Sequence, residues 1–424
     1  MPALEPRRSL RVLIVSQYFW PENFRINDLT EELTRRGHDV TVLTGEPNYP
    51  EGRILPAYRA APSAFARFGD TPILRVPVVA RGNSSVRLVL NYMSFAISGS
   101  LLGAWKLRGQ RFDAVFVFQT SPITAALPAI LQRKLKRAPL LMWVLDLWPD
   151  TLSAIGVVKS PRLLGLVGQL VRFVYDRCDR VLVQSRAFEP RVEAHIGERG
   201  KVRYFPGWAE AIFDRQGKPA SPAPELDAYA GDFKVLFAGN IGEAQDFPAI
   251  LDAAETLKNK KGLRWIVVGD GRAAPRVREE ITRRGLGDKV VLLGRFPIER
   301  MPSFFAGADA LLVTLRREPI WSMTIPGKVQ SYLAAGKPLL AMLDGEGARV
   351  IEESGAGLTA PAGDGAALAA NVERLMSKSS GDRHRMGAAG AAYGKREFDR
   401  ERLVDALETW VAECREHKLP AANP

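Results

Sequence analysis

Short apolar runs alternate with amphipathic stretches along the first half of the chain. The runs lie at Arg11–Ser16 (RVLIVS), Asp39–Thr44, Ile73–Val79, Asp113–Phe118, Ala138–Leu145 and Arg180–Ser185. They are continuous rather than alternating and rich in Val and Leu, which predicts strands buried on both faces of a parallel sheet. Between them, Ile26–Arg36 and Ile123–Leu135 carry helical spacing. The pattern restarts at Phe233–Asn240 and continues through Arg264–Asp270, Lys289–Gly294, Asp309–Thr314 and Pro338–Leu343. RRGHDVTVLT at Arg35 and RRGLGDKVVLLG at Arg283 echo one another, each running from a helix end through Gly into a strand. The expected fold is α/β: two Rossmann-like, doubly wound parallel-sheet domains facing across a cleft. Pro, Ala and Ser at Gly217–Asp232 suggest an exposed connection with a boundary just before it. The expected division is residues 1–205, residues 206–395, and a C-terminal helix in 396–424 packing back toward the first domain.

The length of 424 residues agrees with two domains. Two distant cysteines, Cys178 and Cys414, argue against a disulfide framework and suit a reducing cytosol, and four scattered histidines lack metal-ligand spacing. The net charge of +12 is uneven. Residues 1–205 hold 29 Lys and Arg against 17 Asp and Glu, whereas the remainder holds 30 of each. A basic half meets nucleic acid, an anionic membrane or an acidic partner. Without a helix-turn-helix, zinc-finger or RNP signature, nucleic acid is the weakest of these. Leu88–Trp105 is uncharged for 18 residues, between Arg87 and Lys106. A membrane span, a buried helix and a helix lying on anionic lipid all fit that pattern.

The turns between strands and helices carry the candidate chemistry. The first, Ser16–Asp28 (SQYFWPENFRIND), has no glycine, which argues against a dinucleotide fingerprint. Its Glu22, Asn23 and Arg25 form a wall for a polar ligand, or else Asn23 caps the next helix. The equivalent turn of the second half, FAGNIGEAQDF, puts Gly239 and Gly242 between a strand and a helix, where backbone N–H groups meet phosphate. The Thr324–Gly336 helix begins with Lys328 and no acid, against the preference of the helix dipole. Two anion-friendly helix ends on one sheet edge, with a lysine between them, predict a diphosphate site. In LDLWPD, Asp146 is placed to orient a hydroxyl or to cap a turn, and Trp148 to stack on a sugar or fill the core. Asp150 lies four residues beyond Asp146, with no third metal ligand. Ser185 touches ligand or caps the helix that follows it.

The segments RVLIVSQYFWPENFRIND, LDLWPD, VQSRAF, FAGNIGEAQDF and TIPGKVQSYLAAGKP, in that order, resemble the retaining GT-B glycosyltransferases of family 4 (GT4). The nearest resemblance is to the WbuB/WcaI-type branch that serves O-antigen, colanic acid and capsule assembly. The resemblance implies a nucleotide-sugar donor on the second domain and an acceptor on the first, transferred without metal or other cofactor. It implies a donor-binding set of Gly239, Asn240, Ile241, Gly242, Gln245, Arg295, Phe296, Thr324, Pro326, Gly327 and Ser331. Lys328 and Asp146 are the implied catalytic groups; Glu22, Asn23, Arg25, Trp148, Asp150 and Ser185 lie on the acceptor side. The chain departs from the family at four places. Asn240 and Gln245 replace the usual Arg and Lys of the donor turn, and Met323 and Ser331 replace a glutamate pair. Glu346 or Glu318 is the expected substitute for the glutamate that holds the ribose. The expected donor is a UDP-linked N-acetylated deoxyhexosamine such as UDP-N-acetyl-fucosamine, and the expected acceptor a polyprenyl-linked saccharide. The expected location is the cytoplasmic face of the inner membrane, held peripherally through the basic half. A GT-B epimerase or hydrolase, or a non-catalytic nucleotide-sugar-binding protein at the membrane, are the competing readings.

Overall fold

The computed structural model describes residues 9–82, 84–154, 158, 160–198, 200–213 and 220–416. The chain divides into two compact units, Met1–Pro206 with Glu401–Pro424, and Gly207–Arg400.

The first unit is built on an eight-stranded sheet ordered β3-β4-β2-β1-β5-β6-β7-β8. Its strands are β1 (Arg11–Ser16), β2 (Asp39–Gly45), β3 (Arg67–Phe68), β4 (Thr71–Val76), β5 (Ala114–Gln119), β6 (Leu140–Val144), β7 (Arg180–Val183) and β8 (Val202–Tyr204). All pair in parallel except β3, which runs antiparallel to β4. Central strands β5 and β6 are buried at every position, as expected when helices cover both faces. Strands β3 and β8 have no forerunner in the apolar pattern, because such short edge strands bury too little to mark themselves.

The second unit holds six parallel strands ordered β11-β10-β9-β12-β13-β14. They are β9 (Phe233–Ala238), β10 (Leu263–Val268), β11 (Val290–Gly294), β12 (Ala310–Thr314), β13 (Leu339–Met342) and β14 (Gly357–Ala360). The edge strand β14, with a glycine and only partial burial, is also absent from the apolar pattern. Two apolar clusters, around Trp265 and around Tyr332, pack on the sheet. Residues 220–232 are mostly exposed, as their composition suggests, but they are anchored within the second unit. Ala223 and Leu226 are buried, the Ala223 N–H donates to the Ser303 carbonyl at 3.0 Å, and Glu225 pairs with Arg300 at 2.7 Å. Residues 217–219 of that stretch lie outside the described ones.

Among the parallel strands of each sheet the order reverses once, between β1 and β5 in the first and between β9 and β12 in the second. Ligands of open α/β sheets bind at such switch points, outside the carboxyl ends of the strands.

The last helix, Arg400–Glu416, packs in the first unit, burying Leu403, Leu407, Val411 and Cys414. Arg36 joins Glu32, Asp405 and Glu408 at 2.6–3.0 Å, and Arg415 reaches Asp113 at 3.2 Å. The uncharged segment Leu88–Trp105 lies within the helix Ser85–Lys106. One face of that helix is buried, through Asn91, Phe95, Ala96, Gly99 and Gly103; the other is exposed.

Candidate active site

At the switch point of the second sheet, β9 ends in Gly239 and the segment after β12 leads into the helix Gly327–Ala334. Lys328 is the second residue of that helix, which has no acid in its first turn. Its side chain turns back onto the end of β9. The ammonium nitrogen lies 3.5 Å from the Phe237 ring centroid, fully buried and, among the described residues, without a hydrogen-bond partner. Burial alone pushes its pKa down to about 7. Gly239 has φ +133°, a backbone conformation that favours glycine, and a Cβ there would stand 2.8 Å from Lys328 Cε. Pro326 turns the chain into the helix, and the Val329 N–H returns to the Pro326 carbonyl at 2.8 Å. The N–H groups of Gly327 and Lys328 precede any intrahelical acceptor and point out of the helix end. An unpaired cation and free first-turn donors therefore meet at one place.

Tyr332 locks this helix to the strand. Its buried hydroxyl accepts from the Ala238 N–H at 3.0 Å. A second glycine turn lies behind the first: at Gly269, with φ +148°, any Cβ would strike the Gly239 carbonyl oxygen. The Ile241 N–H donates to the Asp270 carbonyl at 3.0 Å, and the Asp270 carboxylate accepts from the Gly271 N–H at 2.8 Å.

The glycine turn itself is less open than expected. The Gly239 N–H is taken by the Val268 carbonyl at 2.8 Å, and the Gly242 N–H by Gln245 Oε1 at 3.1 Å. Ile241 is a buried core side chain, and the half-buried Gln245 closes the turn through its Oε1. Asn240 is exposed. The glycine turn therefore offers fewer open N–H groups than the first turn of the lysine helix. Arg295 is exposed beside Phe296, whose ring packs against Phe304 at 4.7 Å. The Thr324 hydroxyl donates to the Ile320 carbonyl at 3.2 Å.

The expected carboxylates are placed differently. Glu346 opens the helix Glu346–Ser354, and Arg349 forks onto both its oxygens at 2.9–3.1 Å, so its charge is already matched. Glu318, half-buried, precedes the short helix Pro319–Ser322. Ser331 instead donates to the carboxylate of Glu210, a residue from the start of this unit.

In the first unit, several acceptor-side expectations become structural roles. Glu22 is 6% exposed, and its carboxylate accepts from the backbone N–H groups of Phe19, Asn48 and Tyr49 at 2.7–3.1 Å. It clasps two loops rather than facing a ligand, and burial holds its pKa up at about 7 despite those donors. Asn23 is exposed and does not cap the helix Arg25–Arg35: Phe24 holds the cap position, with no side-chain bond. Arg25 pairs with Asp28 at 2.9 Å. Asp146 accepts from Trp148 Nε1 at 3.1 Å and from the Thr151 hydroxyl, and burial raises its pKa. Trp148 is therefore buried with its N–H committed, packed edge-on to Tyr92 at 6.3 Å. Asp150 starts the helix Asp150–Ala154, 4.0 Å from Arg191. Ser185 is fully buried and does not cap the helix Phe188–Glu193, which follows Ala187. Among the described residues, no three His, Cys, Asp or Glu side chains converge as metal ligands.

Two sequence families match the chain. One, described as a glycosyl transferase 4-like domain, covers residues 23–208; the other, glycosyl transferases group 1, covers residues 232–378. Together they span well over half of it. The chain belongs to the GT4-type glycosyltransferases. It is 30% identical over 246 residues to the glycosyltransferase WbjE of Pseudomonas aeruginosa, a match covering 55% of this chain and 59% of that protein. The chain thus spans less than two thirds of WbjE. It is 25% identical over 344 residues to the colanic acid biosynthesis glycosyl transferase WcaI of Escherichia coli, covering 77% and 82% of the two. Anabaena HepE, solved in complex with UDP, shares the fold with a TM-score of 0.69 at 14% identity, over 95% of this chain and 100% of that one.

As a GT4 glycosyltransferase with a GT-B fold, the protein has several site features that its motifs did not announce. The Gly269–Asp270–Gly271 turn had a readable signal, a glycine pair after a strand like that after β9. Phe237 had none beyond its place in an apolar strand. Glu210 lies in an aperiodic stretch far from Ser331 in sequence, and only folding brings them together.

Proposed function

We propose that the protein moves a sugar, with retained anomeric configuration, from a UDP-linked donor to a polyprenyl-linked saccharide in bacterial surface-polysaccharide assembly. The donor sugar of this reading is an N-acetylated deoxyhexosamine such as N-acetyl-fucosamine, and an anionic membrane surface is a further partner. The observation that carries the proposal is the buried, unpartnered Lys328 ammonium beside the open first turn of its helix. The UDP bound to HepE and the polysaccharide role in the name of WcaI support the nucleotide and the pathway class.

Breaking the bond between the anomeric carbon and the β-phosphate oxygen leaves negative charge on the diphosphate. A preorganised cation and fixed N–H dipoles stabilise that charge without reorganising. The acceptor hydroxyl oxygen forms the new bond on the same face of the sugar, and its proton passes to the departing phosphate. The lysine offsets the leaving-group charge, so no protein base is required in this scheme. Glu210, held by Ser331, supplies a carboxylate near the helix where the family keeps its ribose-binding glutamate. That makes it a better substitute than the Arg349-bound Glu346.

The test supplies the purified protein with UDP-N-acetyl-fucosamine and a short-chain polyprenyl diphosphate-linked N-acetylhexosamine, and analyses the lipid product by mass spectrometry and NMR. A disaccharide with the donor's anomeric configuration is expected. Inversion contradicts the retaining scheme. Sugar release or epimerisation without an acceptor product would select the hydrolase or epimerase reading, and nucleotide binding without turnover the non-catalytic one.

A further inference from the structure

The helix Ser85–Lys106 is long and apolar enough to cross a membrane by length and composition. Its inner face is nevertheless committed to the fold. Asn91, fully buried, accepts from Gln17 Nε2 at 2.6 Å and donates to the Val79 carbonyl at 2.6 Å. Cβ atoms at Gly99 and Gly103 would collide with Pro128 and Leu43, so the helix lies tight against its neighbours. Spanning a bilayer would strip these contacts and leave the Asn91 amide unpaired in hydrocarbon.

The outer face is an apolar stripe. Val86, Val89, Met93, Ile97, Leu101 and Trp105 recur every three to four residues, and all are exposed, Leu101 by 67% and Val86 by 70%. The helix Ala126–Lys136 packs beside it, and the helix Pro161–Asp176 beside that one in turn, exposing Leu135, Leu163, Leu166 and Phe173. A soluble face does not display apolar side chains in such a row without a partner.

Charge identifies the partner. Residues 71–112, 114–145 and 151–175 contain 13 Lys and Arg and no Asp or Glu. On or beside these helices, Arg87, Lys134, Arg137, Arg162 and Arg172 are exposed. Arg108 and Arg177 lie over the exposed rings of Trp105 and Phe173, at 4.5 Å and 3.6 Å. An apolar stripe bordered by cations, with Asp176 at the end of the third helix as its one exposed carboxylate, matches the boundary between lipid headgroups and acyl chains. A second copy of the chain would bring the same positive charge to the contact. We propose that this face docks on an anionic phospholipid bilayer, with the Ser85–Lys106 helix lying in the plane of the interface rather than through it. The proposal gives a physical site to the membrane partner of the functional reading, and its test needs neither donor nor acceptor.

The full-length protein is sedimented with vesicles of phosphatidylglycerol and phosphatidylcholine mixed about 1:1, and with phosphatidylcholine alone. Wild type is expected to pellet with the anionic vesicles and to be released as salt rises from about 0.1 M toward 1 M. Ile97→Ser with Leu101→Ser is expected to weaken binding by about tenfold or more, while UDP binding, as a check on folding, stays unchanged. Arg87→Gln with Lys134→Gln and Arg137→Gln is expected to remove the preference for anionic lipid. Equal pelleting of wild type and the serine variant overturns the proposal, as does equal binding to neutral vesicles. So does a wild-type dimer that the serine substitutions dissolve while vesicle binding persists.

Discussion

Lys328 is a cation held where cations are costly, at a helix start and out of water, with the Phe237 ring face offsetting part of that cost. Burial holds its pKa down at about 7 when no ligand is bound. A bound diphosphate favours the protonated form, so binding takes up a proton above that pH. UDP affinity is predicted to fall by up to about tenfold per unit as pH rises from about 7 to 9, measured by titration calorimetry. In the empty protein the unfolded chain binds the extra proton between the depressed value and the ordinary 10.5, so this group makes stability rise with pH across that window. Glu210 poses a second test at this scale. Removing its carboxylate by Glu210→Ala is predicted to raise the donor KM severalfold and to leave kcat within about a factor of two, because a ribose contact is made equally in ground and transition states. An unchanged KM would return the role to Glu318 or Glu346. The residue scale is also where the sequence was least informative. Lys328 stood out because it broke a local rule. Glu22 and Trp148 read as ligand contacts because Asn48, Tyr49 and Tyr92, which enclose them, are distant in sequence, and Asp146 because its bonds to nearby Trp148 and Thr151 follow no sequence period.

At the scale of elements, the site is two glycine turns stacked under one helix end. Gly239 lies against the lysine and Gly269 clears room for Gly239. Gly269→Ala is predicted to lower stability by about 2–4 kcal/mol, because it combines a disfavoured backbone conformation with a collision against main chain. Loss of UDP binding is expected to accompany it, read by chemical denaturation and titration; a fully stable, UDP-binding variant would contradict the stacking. Strands as apolar as β1, β5, β9 and β10 were legible because each is buried on both faces and has no need to alternate. The edge strands β3, β8 and β14 were not, since half-buried segments of two to four residues leave no period to read. The helix Ser85–Lys106 was legible as apolar but not as one-sided. Its inner face is lined by Phe95 and by Gly, Ala and Asn, which packing selects for size, while most of its larger apolar side chains point outward.

Across the whole molecule, two sheets of one design carry different surfaces. The basic excess belongs to residues 1–205 and the buried Lys328 to the unit that begins at Gly207. Membrane affinity and donor affinity should therefore be separable by mutation. The fold class and family followed from the repeated strand pattern and the order of motifs; the sugar and the acceptor depend on side chains that no period constrains. The central claim is that the second sheet's switch point holds a diphosphate through Lys328. It is tested most directly by calorimetric titration of UDP into wild type and Lys328→Met near pH 7. The account predicts that Lys328→Met binds about 10- to 100-fold more weakly, the equivalent of about 1.5–3 kcal/mol for one charge-assisted contact. Equal affinity for the two proteins would contradict it.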